Sequence, residues 1–269
     1  MANSHSLRWM VLCALLLAGG SATARAAEIH DFSVYARAVE FCRGAVHRPI
    51  AIDLDRRVLC LDGDLTPELD LRLAGELEPN GLFVVRSRGG YINPAAELAE
   101  ALSNRNATVV AYDYCVSACA SYLAMATPKT FVMKDTVVAW HHPTDLRRCP
   151  LLVPSLDGGL ERLENAPCPD APRDFNEDEE KRVAYNRTFY RERADPAFED
   201  PPESRIIRKR LAALYRGTGR YPDVLWTWNP RYYGVLKTQI VYEAYPESQS
   251  EVDALTSKFH FVRRVLYDP

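Results

Sequence analysis

The sequence predicts an α/β domain built on a largely parallel sheet, and three observations carry that prediction. Short apolar runs alternate with helical patterns between residues 49 and 143, the arrangement that βα units produce. Turn and cap residues stand where those patterns change. The composition is that of a packed globular protein, with 269 residues, 47% hydrophobic and 10% aromatic, which is too apolar for a disordered chain. A formal net charge of −3 excludes the strongly basic class of nucleic-acid binders.

The elements follow in order. Residues 1–26 read as a secretory signal peptide. Arg8 is the positive flank, Trp9 to Ala18 the short apolar core, and Ala24-Arg25-Ala26 an A-x-A cleavage signal. Cleavage leaves residues 27–269 as a single domain, periplasmic or secreted, without a stable membrane span. Its expected parts are a core over 49–143, an insertion over 144–175, and a helical and C-terminal part over 176–269.

Residues 28–48 form a helical lead-in with Phe32, Val34, Tyr35 and Val39 on its apolar side. Residues 49–53 and 57–61 are strands about an Asp-Arg-Arg turn. Thr66-Pro67-Glu68 opens a helix through Glu76, with Thr66 as its cap. Leu82 to Val85 is a strand, and Arg86-Ser87-Arg88-Gly89-Gly90 a loop. A helix follows over 93–104, capped by Asn93 with Pro94 behind it. Thr108 to Ala111 is a strand, Val116 to Ala126 an apolar helix, and residues 131–133 and 136–140 two further strands.

Proline, paired glycines and two cysteines make 144–175 an irregular excursion. A charged helix is expected over 176–194, with Val183, Tyr185, Phe189 and Tyr190 inward, and another over 202–215 ending at Gly217-Thr218-Gly219. Asn229-Pro230 opens a short helix. Strands are expected over 238–244 and 258–262. Trp226, Trp228, Tyr232 and Tyr233 read as core packing.

Export changes how the cysteines read. Without Cys13, six remain, and an even number in an oxidising compartment favours disulfides. Proximity suggests Cys42–Cys60 and Cys149–Cys168. Cys115 and Cys119 bond to each other, pair elsewhere, or stay as thiols. The C-x-x-C pairs of a zinc site are absent, so no metal and no cofactor are expected.

Three motifs bear on chemistry. Ser87-Arg88-Gly89-Gly90 lies between a strand and a helix, where bare backbone amides can face a ligand. Ser117 lies where a strand passes into a helix of small residues, a turn that can hold a hydroxyl exposed beside helix N-terminal amides. His141 ends an apolar strand 24 positions later. A serine hydroxyl needs a base tuned near neutrality.

Together these motifs resemble the Clp protease proteolytic subunit and its relatives in the crotonase-like superfamily, closest to secreted Clp-like bacterial proteins with a C-x-S-A-C elbow. The resemblance runs from Leu59 to Pro143. Ser87-Arg88-Gly89-Gly90 stands for the family's glycine loop with Arg88 in place of proline. Ser117-Ala118 stands for the nucleophile, and His141-His142-Pro143 for the histidine motif. Tyr215 to Gly219 looks like the threonine-glycine that precedes the family acid.

The resemblance implies a ClpP/crotonase-like ββα spiral with a Pro/Cys-rich insertion and a C-terminal helical extension. It implies a serine hydrolase, a peptidase with Ser117 as nucleophile and His141 as base. Gly89, Gly90 and Ala118 would form the oxyanion hole. The acid is Asp223, Asp145, or no residue at all. The substrate would be a peptide or protein and a homo-oligomer is allowed, but an exported chain has no ATPase partner. Two alternatives stand beside this reading. One is a non-catalytic periplasmic binding or assembly protein on the same fold; the other is a crotonase-like acyl-group enzyme.

Overall fold

The computed structural model describes residues 31–45, 49–141, 151–154, 160–163, 188, 189, 192, 204–218 and 223–269. Residues 1–26, expected as a signal peptide, and Asp145, Cys149 and Cys168 lie outside them. Residues Phe32–Pro269 form one compact unit. No helix among the described residues is long and apolar enough to cross a membrane.

The architecture is α/β. A mostly parallel sheet runs in the order β1 (Ile50–Ile52), β2 (Val58–Asp62), β3 (Leu82–Ser87), β4 (Thr108–Val116), β5 (Lys129–Val132) and β10 (Gln239–Tyr242). Only β1 and β2 pair antiparallel, through the turn that the Asp53 carboxylate closes by accepting from Arg57 N and Val58 N. β4 is long enough to serve two partners. Its first half pairs with β5, and its second half, Tyr114 to Val116, pairs with β6 (Val137–Ala139). A register shift between β3 and β4, with Asp113 at φ +56°, separates the two halves. Such a bulge re-aims the strand end.

Side-chain alternation puts a core on each face of the sheet. Phe83, Val85, Val109 and Ala111 face α3 (Ile92–Asn104) and α2 (Arg72–Glu76). Val84, Val110 and Tyr112 face α1 (Ser33–Ala45). α1 meets the sheet through Ala38, Val39 and Cys42, and the Cys42–Cys60 disulfide fastens it to β2. Val34, expected inward, is exposed.

The remaining elements are short. β7 (Leu151–Pro154) and β8 (Leu160–Leu163) pair antiparallel, so the segment expected to be irregular contains a two-stranded ribbon. α4 spans Arg205–Thr218, a 3-10 turn spans Pro230–Val235, and α5 spans Gln249–Lys258. β9 (Leu225–Trp226) and β11 (Val265–Leu266) form a small parallel pair. Trp140 and Trp226 exchange backbone hydrogen bonds of 2.9 and 2.8 Å, which carries β6 onward onto this pair.

Four expectations need correction. The helix after Thr66 begins only at Arg72 with no side-chain cap, because Leu65 is drawn out to pair with the glycine loop. α3 is preceded by Tyr91 rather than capped by Asn93, since that pairing continues through the Tyr91 amide. The helix expected over 116–126 contracts to a π-helical turn at Cys119–Leu123. The strand expected over 258–262 is the end of α5 and a turn, and the pairing segment lies later, at Val265–Leu266. Of the charged helix only Thr188, Phe189 and Glu192 are described. They are helical, and Phe189 is buried against Tyr122.

Candidate active site

The site forms where β3, β4 and β6 end side by side. β3 closes at Ser87, whose buried hydroxyl accepts from Gly89 N at 3.0 Å. Gly89 and Gly90 then take φ of +89° and +135°, backbone that side chains resist. Space demands glycine as well. A Cβ on Gly89 would lie 2.7 Å from Ser117 Cβ and Ala118 N, and one on Gly90 would lie 2.4 Å from Leu65 O. The extended segment at Leu65 fixes the loop from its far side: Leu65 N donates to Gly89 O at 2.7 Å and Tyr91 N to Leu65 O at 2.8 Å.

Ser117 sits on the turn beyond β4. Its amide donates to Ala139 O of β6 at 3.0 Å, so the last strand bond is made before the chain turns. Ser117 itself has φ +59°, uncommon for a residue with a side chain and a form of strain found at functional turns. Ala118 follows as the first residue of the helical turn, where amides have no intrahelical acceptor. A disulfide joins Cys115, at the end of β4, to Cys119, across the serine, with both cysteines fully buried.

β6 delivers the imidazole. Ala139 holds the Ser117 amide, Trp140 is pinned to Trp226, and His141 comes next. Its Nε2 lies 2.7 Å from Ser117 Oγ, in a half-buried setting. The geometry is that of a nucleophile and a base within proton-transfer reach. Gly89 N is committed to Ser87 Oγ, so of the three expected oxyanion donors Gly90 N and Ala118 N are left as candidates. Gly89 serves by its missing side chain, which lets the loop close on Ser117.

Asp223, one of the two expected acids, lies at the surface. Its side chain is 76% exposed, and its carboxylate pairs with Arg263 Nε at 3.1 Å. A carboxylate that orients a catalytic imidazole is buried against the other ring nitrogen. Among the described residues no cluster of three or more His, Cys, Asp or Glu gathers in a form that could hold a metal ion.

Sequence reasoning missed the polar cluster on the outer face of these strands. Arg86 donates through Nε to Asp62 Oδ1 at 2.7 Å and through Nη1 to Asp113 Oδ2 at 3.0 Å. Those partners hold the Arg86 guanidinium well above its ordinary range, hydrogen bonding to Asp62 being the largest cause. Tyr112 beneath it is pushed up to about 12, chiefly by burial. The alternation of Arg86 with Arg88 and Tyr112 with Tyr114 was visible in the sequence. The bulge that brings the distant Asp62 and Asp113 to one guanidinium was not.

A cleft of about 240 Å³ opens beyond Gly90, lined by Pro67, Leu71, Tyr91, Ile92, Pro94 and Glu97 among others. No model of a known protein family matches the chain, and no curated protein matches it in sequence.

Proposed function

We propose that this chain is an exported bacterial serine hydrolase on a ClpP/crotonase-like spiral, a peptidase that works without an ATPase partner. The observation that carries the reading is the 2.7 Å approach of Ser117 Oγ to His141 Nε2 on a turn backed by the glycine loop. Ser117 Oγ adds to the scissile carbonyl carbon while its proton passes to His141 Nε2. The carbonyl oxygen takes the negative charge and receives the Gly90 and Ala118 N–H groups. Collapse of the adduct expels the amine, which leaves with the proton from His141. Water, deprotonated by the same imidazole, then hydrolyses the acyl-enzyme. Each oxyanion donor supports such a step by about 2.7–4 kcal/mol. The two disulfides fit an oxidising compartment.

The competing reading is a non-catalytic binding or assembly protein on the same fold; of the two expected acids, Asp223 is exposed and paired with Arg263, and Asp145 lies outside the described residues. Fluorophosphonate labelling of the oxidised protein separates the two. Labelling that disappears in both Ser117→Ala and His141→Ala supports the hydrolase. Absence of labelling in folded wild type supports the binding protein.

A further inference from the structure

The outer face of β3 and β4 carries a ladder of cations and rings that ends at the glycine loop. Arg43 and Arg86 lie over Tyr112 at 5.3 and 5.4 Å, Arg86 over Tyr114 at 6.0 Å, and Arg88 over Tyr114 and Phe261 at 5.6 and 5.9 Å. The charges along it are not equivalent. Arg43 is paired with Glu40 and Asp113, and Arg86 with Asp62 and Asp113. Arg88 is exposed and has no carboxylate partner among the described residues. It is nevertheless held in place, donating through Nη2 to Phe259 O at 2.8 Å while two rings flank it. Lys258, over the Phe259 ring at 4.9 Å, adds positive charge to the same rim.

Position gives this charge a use. Arg88 immediately precedes Gly89, whose missing Cβ is what lets the loop lie against Ser117. Arg88 thus leaves the backbone at the loop that lies against Ser117, and its guanidinium sits on the rim over Tyr114, three residues before the serine. That guanidinium keeps N–H donors uncommitted in a planar fork suited to a carboxylate. Because the side chain is already ordered, little freedom is lost when an anion engages it.

We propose that Arg88 is a specificity-determining residue that selects substrates bearing a carboxylate beside the scissile bond, an inference that rests on the serine-hydrolase reading. The carboxylate comes either from an acidic side chain or from a free chain terminus.

The test measures the rate of Ser117 modification by three fluorophosphonates of equal length, ending in a carboxylate, a methyl ester or a trimethylammonium group. The expected order is carboxylate fastest, about fivefold over the ester, with trimethylammonium slowest. The ratio should fall as salt is added, as exposed ion pairs do. It should vanish in Arg88→Gln and persist in part in Arg88→Lys. Peptide competitors with an internal Asp and an amidated end, or with neutral side chains and a free end, then separate the two carboxylate sources. A wild-type ratio near one, or a ratio unchanged in Arg88→Gln, overturns the inference and leaves the hydrolase reading standing. Folded protein that no probe labels overturns both.

Discussion

Residues 49–141 and residues 223–269, joined beside the candidate site by the Trp140–Trp226 backbone pair, are held together by different means. The first segment is held by parallel ladders and two apolar cores, and its reactive groups sit at strand ends. The second has strands of two residues and one of four, and depends on side-chain hydrogen bonds. At its centre is the buried Asp268. Its carboxylate accepts from the Ser204 hydroxyl and from Asn229 N, and its amide donates to Thr227 Oγ1 at 3.0 Å. Tyr245 donates to Asp268 O and shares a 2.8 Å hydrogen bond with Thr227. Apolar ladders place the candidate site, and polar networks attach the C-terminal segment. Damage to the first should therefore fall on reactivity, and damage to the second on stability and its pH dependence.

The sharpest break is expected at Gly89. Gly89→Ala puts a methyl group against Ser117 Cβ and the Ala118 amide at a positive φ, so the loop must move and the proposed oxyanion donors with it. The fluorophosphonate labelling rate should fall about 100-fold or more, while far-UV circular dichroism still reports a folded chain.

The two disulfides sharpen the comparison next. Cys42→Ser with Cys60→Ser opens the longer loop, with a sequence separation of 18, and should cost about 3 kcal/mol of stability by chain entropy. Cys115→Ser with Cys119→Ser opens a separation of only 4 and should cost less, about 2 kcal/mol. Reactivity should reverse that order, because only the second pair spans Ser117. Denaturant melts and labelling rates on both double variants check the crossover.

Ser87→Ala removes the acceptor of the Gly89 amide in a fully buried place. A stranded donor costs about 1–3 kcal/mol, and the labelling rate should drop with it.

Asp268 carries the pH dependence of the C-terminal segment. Burial raises its carboxyl above the ordinary 3.8, against the hydrogen bonds that oppose it. The folded state then holds the proton more tightly than the unfolded state. This contribution is complete below about pH 3.8 and is lost as pH rises through the raised folded value. Asp268→Asn should therefore gain in Tm relative to wild type as pH is taken from below 3.8 toward neutrality. A constant difference across that range would exclude Asp268 as the source.

The smallest effect belongs to Tyr112, whose buried hydroxyl has no hydrogen-bond partner among the described residues. Tyr112→Phe keeps the ring beneath Arg43 and Arg86 and should be neutral or stabilising by about 1 kcal/mol in denaturant melts.

How far the sequence could be read depended on the range of the interactions. The strands near 82, 108 and 131 and the helix ending at Asn104 were legible, because apolar periodicity is a local signal. The short helix at Asn229-Pro230 was legible for the same reason, and Asn229 Oδ1 accepts from Arg231 N. Helix starts at Thr66 and Asn93 were misread because pairing of Leu65 with the glycine loop overrode good cap residues. Ser117, His141, Gly89, Gly90 and Ala118 follow from the order of three motifs, and the structure brings Ser117 Oγ to 2.7 Å from His141 Nε2. Asp223 was chosen by its place in that order, and its surroundings are set instead by Arg263.

By itself the sequence determined the α/β alternation, the two faces of the central strands and the glycines that the loop cannot do without. Those follow from side-chain periodicity and from the steric cost of a Cβ at positive φ. Tertiary structure alone decided that Cys115 bonds Cys119, that Ser87 takes the Gly89 amide, and that Asp62 and Asp113 pair with Arg86 and not with Arg88. Such choices depend on strand register, and register is fixed only when the whole sheet assembles.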